Sequence, residues 1–477
     1  MNSNQCRRKL NPPVSYRLTT YEYDKNGNLT KEKRFLEYQT KTSRRGKIHT
    51  ISYHYDSLNR ITKITDTTGA ELHYTYNSRN ALTSIKEKLQ EGKWREQHYF
   101  YQNNGRLERM AETADKEGCG KTYAQTRYHY DRTGNLVKII TPSGNQILKT
   151  YDEDNLLIKE EHKELSGTID NSYYHEYDNV GNLVKMTDVY GATVTYTYDA
   201  KNRLISMTGK NGGTTRIRYD KNDRIQSQVL PKEWQEKGEQ AQGYQYTYNT
   251  RDQIRTLTAP DGTLIYQRSY TPYGELEQET DSKGEGIHFR YDYTGRRIQA
   301  STSGKATETY QYDALGNQTA ITDGNGNTTH FQSDPWGRIM EIQKADQSRE
   351  TYSYDLAGNL LTATDGEQHT VTYQYHSTGS LKARTDAQGN TEYFHYDIEG
   401  RLNRHKNRNG EEVTYRYNMY HDPISRRHKN TNLQDIYGYR KDGSLSYAIG
   451  GGMRYDYTYY PDGSLKEKKP AENPCYT

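Results

Sequence analysis

One phrase dominates this chain and limits what it can fold into. Residues 352–366 read YSYDLAGNLLTATDG, and residues 310–324 read YQYDALGNQTAITDG. Aligned on the second tyrosine, the phrase recurs at Tyr23, Tyr55, Tyr76, Tyr101, Tyr130, Tyr151, Tyr177, Tyr198, Tyr219 and Tyr248. It continues at Tyr270, Tyr291, Tyr312, Ser333, Tyr354, Tyr375, Tyr396, Tyr417, Tyr439 and Tyr459. From Tyr270 to Tyr417 every step is 21 residues, whereas some earlier steps run from 25 to 32. The extra residues fall in polar inserts such as DKEGCGK (115–121) and LPKEWQEKGEQAQG (230–243). A unit this short cannot enclose a core of its own, so its apolar face must be covered by its neighbours.

The unit itself is a hairpin. In YSYD, Tyr352 and Tyr354 share one face of a short strand. Asp355-Leu-Ala-Gly358 has the grammar of a type I turn ending in a left-handed residue. NLLTAT returns as the second strand, and Asp365 opens the next turn. Many units carry D-x-x-G at both ends, as in Asp313…Gly316 and Asp323…Gly326. Where the first-turn glycine is missing, Asn59, Asn202, Asp223 and Asp252 stand in its place, the residue types that best tolerate positive φ. The position is thus selected for backbone shape rather than for reactivity.

The reading is therefore all-β: tandem hairpins forming one long antiparallel, curved or spiralling sheet. The array spans residues 16–466, with flanks at 1–15 and 467–477. One short helix is expected within 230–243, with a seam near Pro231. About forty strands spaced about 4.8 Å apart give a ribbon that makes little more than one turn, a band open at both ends. Lys-rich LKEKKP (465–470) would blunt the last edge.

Composition agrees. Only 31% of residues are hydrophobic, and mean hydropathy is −1.20. Those values alone suit a disordered chain, but 48 tyrosines do not. The apolar material is phenol more than aliphatic, which predicts a thin tyrosine-faced sheet without a deep Leu/Ile core. Lys+Arg number 66 and Asp+Glu 62, a net +4 without a basic stripe, which speaks against nucleic acid as a partner. Cys6, Cys119 and Cys475 are widely separated and form neither a disulfide framework nor a metal clasp. No apolar run approaches a membrane span, and MNSNQCRRKL lacks the apolar segment of a signal peptide.

Few residues invite a catalytic or metal-binding reading. Asp323-Gly-Asn325-Gly-Asn327 starts like a calcium loop, but Thr328 occupies the glycine position and Asp334 the place of the glutamate. A turn aspartate capping its own backbone accounts for it. His395 and His405 fall at repeat-variable positions and read as surface residues. No zincin, nucleophile-elbow or P-loop motif occurs. No catalytic residue, cofactor site or metal site is assigned, and the chain reads as a non-enzyme.

The phrases YDRTGNLVKI, YDNVGNLVKM, YDLAGNLLTA and YDIEGRLNRH, with TDxxGxxxxYxY between them, resemble the YD repeat of the Rhs proteins over nearly the whole chain. That family includes bacterial polymorphic toxins, wall-associated proteins, shell components of insecticidal toxin complexes, and teneurins. The resemblance implies a secreted or cell-surface β-shell that, in toxin members, encloses a C-terminal toxic domain. It also implies partners: that domain, the remainder of the shell, or glycans. The DPxGL-type segment that carries the aspartates of self-cleavage has no match. Asp334-Pro335-Trp336-Gly337 lies at an ordinary YDxxG position. A structural shell and a glycan-binding module both remain open, and they part on whether the tyrosine rings are exposed.

Overall fold

The computed structural model describes residues 18–35, 48–114, 122–166, 169–303, 305–313, 315–429, 431, 433–460 and 463–471. Cys6, Cys119 and Cys475 lie outside the described residues. Among the described residues are forty strands in one antiparallel sheet. Strands adjacent in sequence pair: Arg349–Tyr354 with Leu360–Thr364, and Leu360–Thr364 with Thr370–Tyr375. The expected helix is Pro231–Lys237, followed by a 3-10 turn over Gly238–Gln240. Pro231 opens it, where a missing N–H costs nothing.

The two edges of the ribbon differ. At the YD turn, Tyr352 faces Ala363, Ser353 faces Thr362, and then Tyr354 faces Leu360, so Leu361 is a bulge. The same shift precedes the anchor tyrosine in hairpin after hairpin, for example at Tyr198, Tyr270 and Tyr417. Bulges bend the strand and increase its twist. At the opposite, TD edge the ladder commonly runs unshifted to the turn, as in Thr362–Thr372, Ala363–Val371 and Thr364–Thr370. Pairing between successive hairpins stops before the YD edge: Ile339–Gln343 pairs with Arg349–Tyr354 only from Glu341 onward.

The turns follow the sequence grammar. Asp355 N–H donates to Asn359 O (2.9 Å) and Gly358 N–H to Asp355 O (3.1 Å). Gly358 has φ +91°. Asn59, Asn202, Asp223 and Asp252 all adopt φ near +60°. Among the described residues buried aliphatics are sparse: Ile51, Leu89, Val229, Val413 and a few alanines such as Ala111 and Ala320. Most anchor tyrosines are half-buried, so cohesion comes from cross-strand pairs over a thin layer.

By packing, the chain divides into two units, Met1–Glu96 with His288–Tyr373, and Gln97–Ile287 with Gln374–Thr477. Each combines an early and a late stretch of ribbon. Inside each unit, YD turns of the late stretch rest against the TD edge of the early one. The final strand, Leu465–Ala471, pairs with Met453–Tyr459 and includes Pro470.

Candidate functional site

The chemistry-bearing side chains first serve their own repeat. Asp199 shows the turn: Oδ1 accepts the N–H groups of Lys201 (2.9 Å) and Arg203 (3.0 Å), and Oδ2 accepts Arg203 Nε (2.7 Å). The Arg203 side chain and backbone hydrogen bonds hold this carboxyl down at about 2, against the opposing effect of burial. Arginine at this position also reaches forward. Arg338 bonds Asp334 Oδ2 through Nε (2.5 Å), donates from NH1 to Asp355 O in the next turn (3.1 Å), and lies over the Tyr354 ring at 4.9 Å. Arg60, Arg296 and Arg401 repeat the arrangement. Asparagine is the shorter alternative: Asn182 Nδ2 donates to Asp178 Oδ2 (2.9 Å) and to Asn202 Oδ1 (3.0 Å). The R/N alternation of the motif thus reflects two ways of tying one turn to the next.

The anchor tyrosines answer a recurring shortage. Because pairing stops short of the YD edge, the first carbonyl of a return strand such as Ile339–Gln343 lies beyond the ladder on that side. The next unit's phenol supplies the donor: Tyr354 to Ile339 O (2.9 Å), Tyr198 to Leu183 O (2.9 Å), Tyr219 to Leu204 O (2.9 Å), Tyr417 to Leu402 O (2.7 Å). Burial pushes the phenols of Tyr198 and Tyr417 above their ordinary value.

The residues singled out in the sequence are absorbed in the same way. Asp323 Oδ1 accepts the N–H groups of Asn325 (2.8 Å) and Asn327 (2.9 Å), and Oδ2 accepts Asn327 Nδ2. Asp334 caps its own turn through Trp336 N–H (2.9 Å) and Arg338 N–H (3.0 Å). His405 is half-buried rather than a surface residue, its ring stacked on Phe394 at 4.8 Å. His395 lies 6.4 Å, ring to ring, from His376.

What the sequence did not indicate are the junctions. In the first unit Trp336, at the third position of its YD turn, meets His49 edge-on at 5.0 Å. His49 is 1% exposed and donates through Nε2 to Asp66 Oδ2 (2.8 Å). Burial raises the Asp66 carboxyl, but hydrogen bonds from His49, Thr68 and the backbone outweigh it and hold the group below the usual range. Beside this pair a cleft of about 350 Å³ is lined by Ile51, Ile64, Leu72, Trp336 and Leu356, with Glu71 and Lys88 among its polar lining residues. A histidine–aspartate pair invites a catalytic reading. Here the imidazole is sealed from solvent, and Thr68 Oγ1, the nearby hydroxyl, is bonded to the same aspartate (2.7 Å). The pair is a buried strut.

In the second unit the junction is polar. Glu399, also third in a YD turn, accepts the Ser143 N–H (3.2 Å) and hydroxyl, and faces Arg401 NH1 (3.2 Å) and His421 Nε2 (3.7 Å). Its side chain is 7% exposed. Burial drives its carboxyl up, and the Ser143 and Thr141 hydrogen bonds with the Arg401 charge bring it below the ordinary value. Tyr420 stacks on His162 at 5.4 Å, and Lys441 N–H donates to Tyr190 Oη (2.7 Å). The bonded pairs are 251 and 256 residues apart. In these contacts a YD turn of the late stretch meets the TD edge of the early one.

Tandem hairpins joined turn to turn define a β-repeat wall protein. The Teneurin YD-shell family matches residues 274–429, and the RHS Repeat matches residues 50–88 and 177–215. Over those stretches the chain carries the repeat of the Rhs/YD family. Its fold is similar to the crystal structure of TcdB2-TccC3-TEV (TM-score 0.65, 15% identity, 92% of this chain and 28% of that one). It is also similar to TcdB2-TccC3 (TM-score 0.60, 13% identity, 96% and 31%) and to TcdB2-TccC3 without its hypervariable C-terminal region (0.57, 15%, 92% and 26%). The chain thus spans under a third of each of those structures. No curated protein matches it in sequence. Among the described residues no helix is long and apolar enough to cross a membrane.

Proposed function

We propose that this chain is a non-catalytic wall segment of a secreted or surface-exposed Rhs-type shell, which together with the remainder of that shell encloses a C-terminal toxin or effector domain. The observation that carries the reading is the joining of late YD turns to the early edge within each unit, Trp336 on the strand residue His49 in one and Glu399 on the turn residue Ser143 in the other. It makes adjacent stretches of ribbon into continuous wall. Turn aspartates such as Asp199 and anchor phenols such as Tyr198 are committed to the backbone of the repeats, which suits a wall. A neighbouring structure lacking a hypervariable C-terminal region fits a wall that is separable from what it encloses. The test is protease protection in the complete protein encoded around this segment. The effector domain should survive in the intact shell and be digested after Trp336→Ala with Glu399→Ala. Digestion at the rate of the isolated effector in the unmutated protein would refute enclosure.

Glycan binding is the second reading. It rests on Tyr273 and Tyr293, which are 89% and 79% exposed at turn positions. Loss of sugar binding on Tyr273→Ala would support it.

A further inference from the structure

Between the turns at Asn249–Asp252 and Thr271–Gly274 the inter-turn tie described above is altered. Gln253 stands where Arg203, Arg224, Arg296, Arg338 and Arg401 stand in other units, and its Nε2 donates to Gly274 O (2.7 Å). Asn249 and Thr271 stand where most turns have aspartate. The shorter amide leaves a concavity of about 310 Å³ bounded by Tyr270, and three arginines line it, Arg251, Arg255 and Arg268. No carboxylate lines it.

The carboxylates of the neighbourhood are committed. Glu279 holds Arg268 Nε (2.7 Å), Asp252 holds Arg224 NH1 (2.6 Å), and Glu275 takes the Thr271 hydroxyl. The guanidinium groups of Arg251 and Arg255 have no hydrogen-bond or ion-pair partner among the described residues. Ser269 and Thr250 add hydroxyl donors to the same lining.

We propose that this concavity binds an oxyanion of phosphate or sulfate type. Guanidinium forks present paired N–H donors that match tetrahedral oxyanions, and two of the three here are unspent. The volume exceeds that of one phosphate, so a diphosphate or a phosphorylated or sulfated small molecule fits the space better than a single ion.

The experiment is calorimetric titration of the full chain with pyrophosphate, inorganic phosphate and sulfate at low ionic strength, where exposed charges are least screened. Pyrophosphate should bind saturably at one site. Arg251→Gln and Arg255→Gln should each weaken it about tenfold, the loss of one charge-assisted contact. Arg290→Gln, which removes an exposed arginine elsewhere, should change nothing. Both site arginines are exposed, so the sheet signal in circular dichroism should be unaffected. Pyrophosphate preferred over sulfate assigns a phosphate-type ligand, and equal affinity assigns oxyanions generally. Absence of saturable binding into the millimolar range, or equal weakening by Arg290→Gln, would overturn the proposal.

Discussion

Glu399 is the place to break the second unit's junction. Its carboxylate accepts two hydrogen bonds from Ser143 and faces Arg401. Hydrogen bonds to a charged group contribute about 1.5–3 kcal/mol each, and a half-buried N–H left without an acceptor costs about 1–3. Glu399→Ala should therefore loosen the junction by about 2–4 kcal/mol. Glu399→Gln keeps an acceptor oxygen for Ser143 and loses the charge facing Arg401, so it should cost about 1 kcal/mol. At about 1.4 kcal/mol per decade, alanine raises the open population roughly 30- to 1,000-fold. Hydrogen exchange over Thr141–Gly144 reads this directly. The global midpoint should hardly move, because repeat stability is close to a sum of neighbour terms. The pH arm carries a sign. The folded carboxyl lies below its ordinary value, so its contribution is complete above the ordinary range, near about 4.3, and is lost as pH falls through the lower folded value. Between pH 7 and 5 the Glu399 carboxylate stays ionised, so its own contribution should not change. Further acidification should open it in the wild type, after correction for intrinsic exchange, and much less in Glu399→Gln. Unchanged exchange at 141–144 in the alanine variant, or equal acid sensitivity in the glutamine variant, would refute the reasoning.

Three further outcomes are expected. Tyr354→Phe removes the donor to Ile339 O and keeps the ring beneath Arg338, so it should cost about 0.5–1.5 kcal/mol locally, seen as faster exchange near Ile339–Gln343 with little change at Leu445–Gly450. Gly358→Val should damage its turn more than Gly358→Asn, because φ +91° resists a β-branched residue; local exchange that ranks them the other way would contradict this. The purified chain should stay intact over days, since Asp334 is bound into its turn; an N-terminal fragment that vanishes with Asp334→Asn would show otherwise.

What was legible in the sequence was local. Positive φ restricts residue choice at the position itself, so Asn59, Asn202, Asp223 and Asp252 marked turns without any structure. Gln347 and Gln368 adopt the same backbone and went unseen, because glutamine is not a type that favours it. The role of tyrosine was half legible. Its pairing with the leucine of the return strand follows from the hairpin, as at Tyr354 and Leu360. Its bond to a carbonyl of the preceding hairpin depends on where the ladder stops, which only the register reveals. The junctions were invisible because Ser143 and Glu399 share no period and sit 256 residues apart. Their one trace is bulk at the third turn position, in Trp336, Glu399 and Tyr420.

Unlike edges explain how, within each unit, one stretch of ribbon is laid against another. Within each unit the junctions join a TD edge to a YD edge, a head-to-tail contact between two different surfaces. A contact of that kind does not complete itself, because each added stretch presents again the edge that the next one needs. The early stretches show it at the position where Trp336 and Glu399 act. Leu58 and Val180 stand third in their YD turns and are 60% and 70% exposed. An apolar side chain on a turn tip is poorly placed in water and well placed against a TD edge, as Trp336 is against His49. Such edges are blunted either by charge or by another stretch of wall. The 21-residue unit fixes how hairpins follow one another, and the third turn residue, free of that constraint, is where the sequence specifies which turns meet.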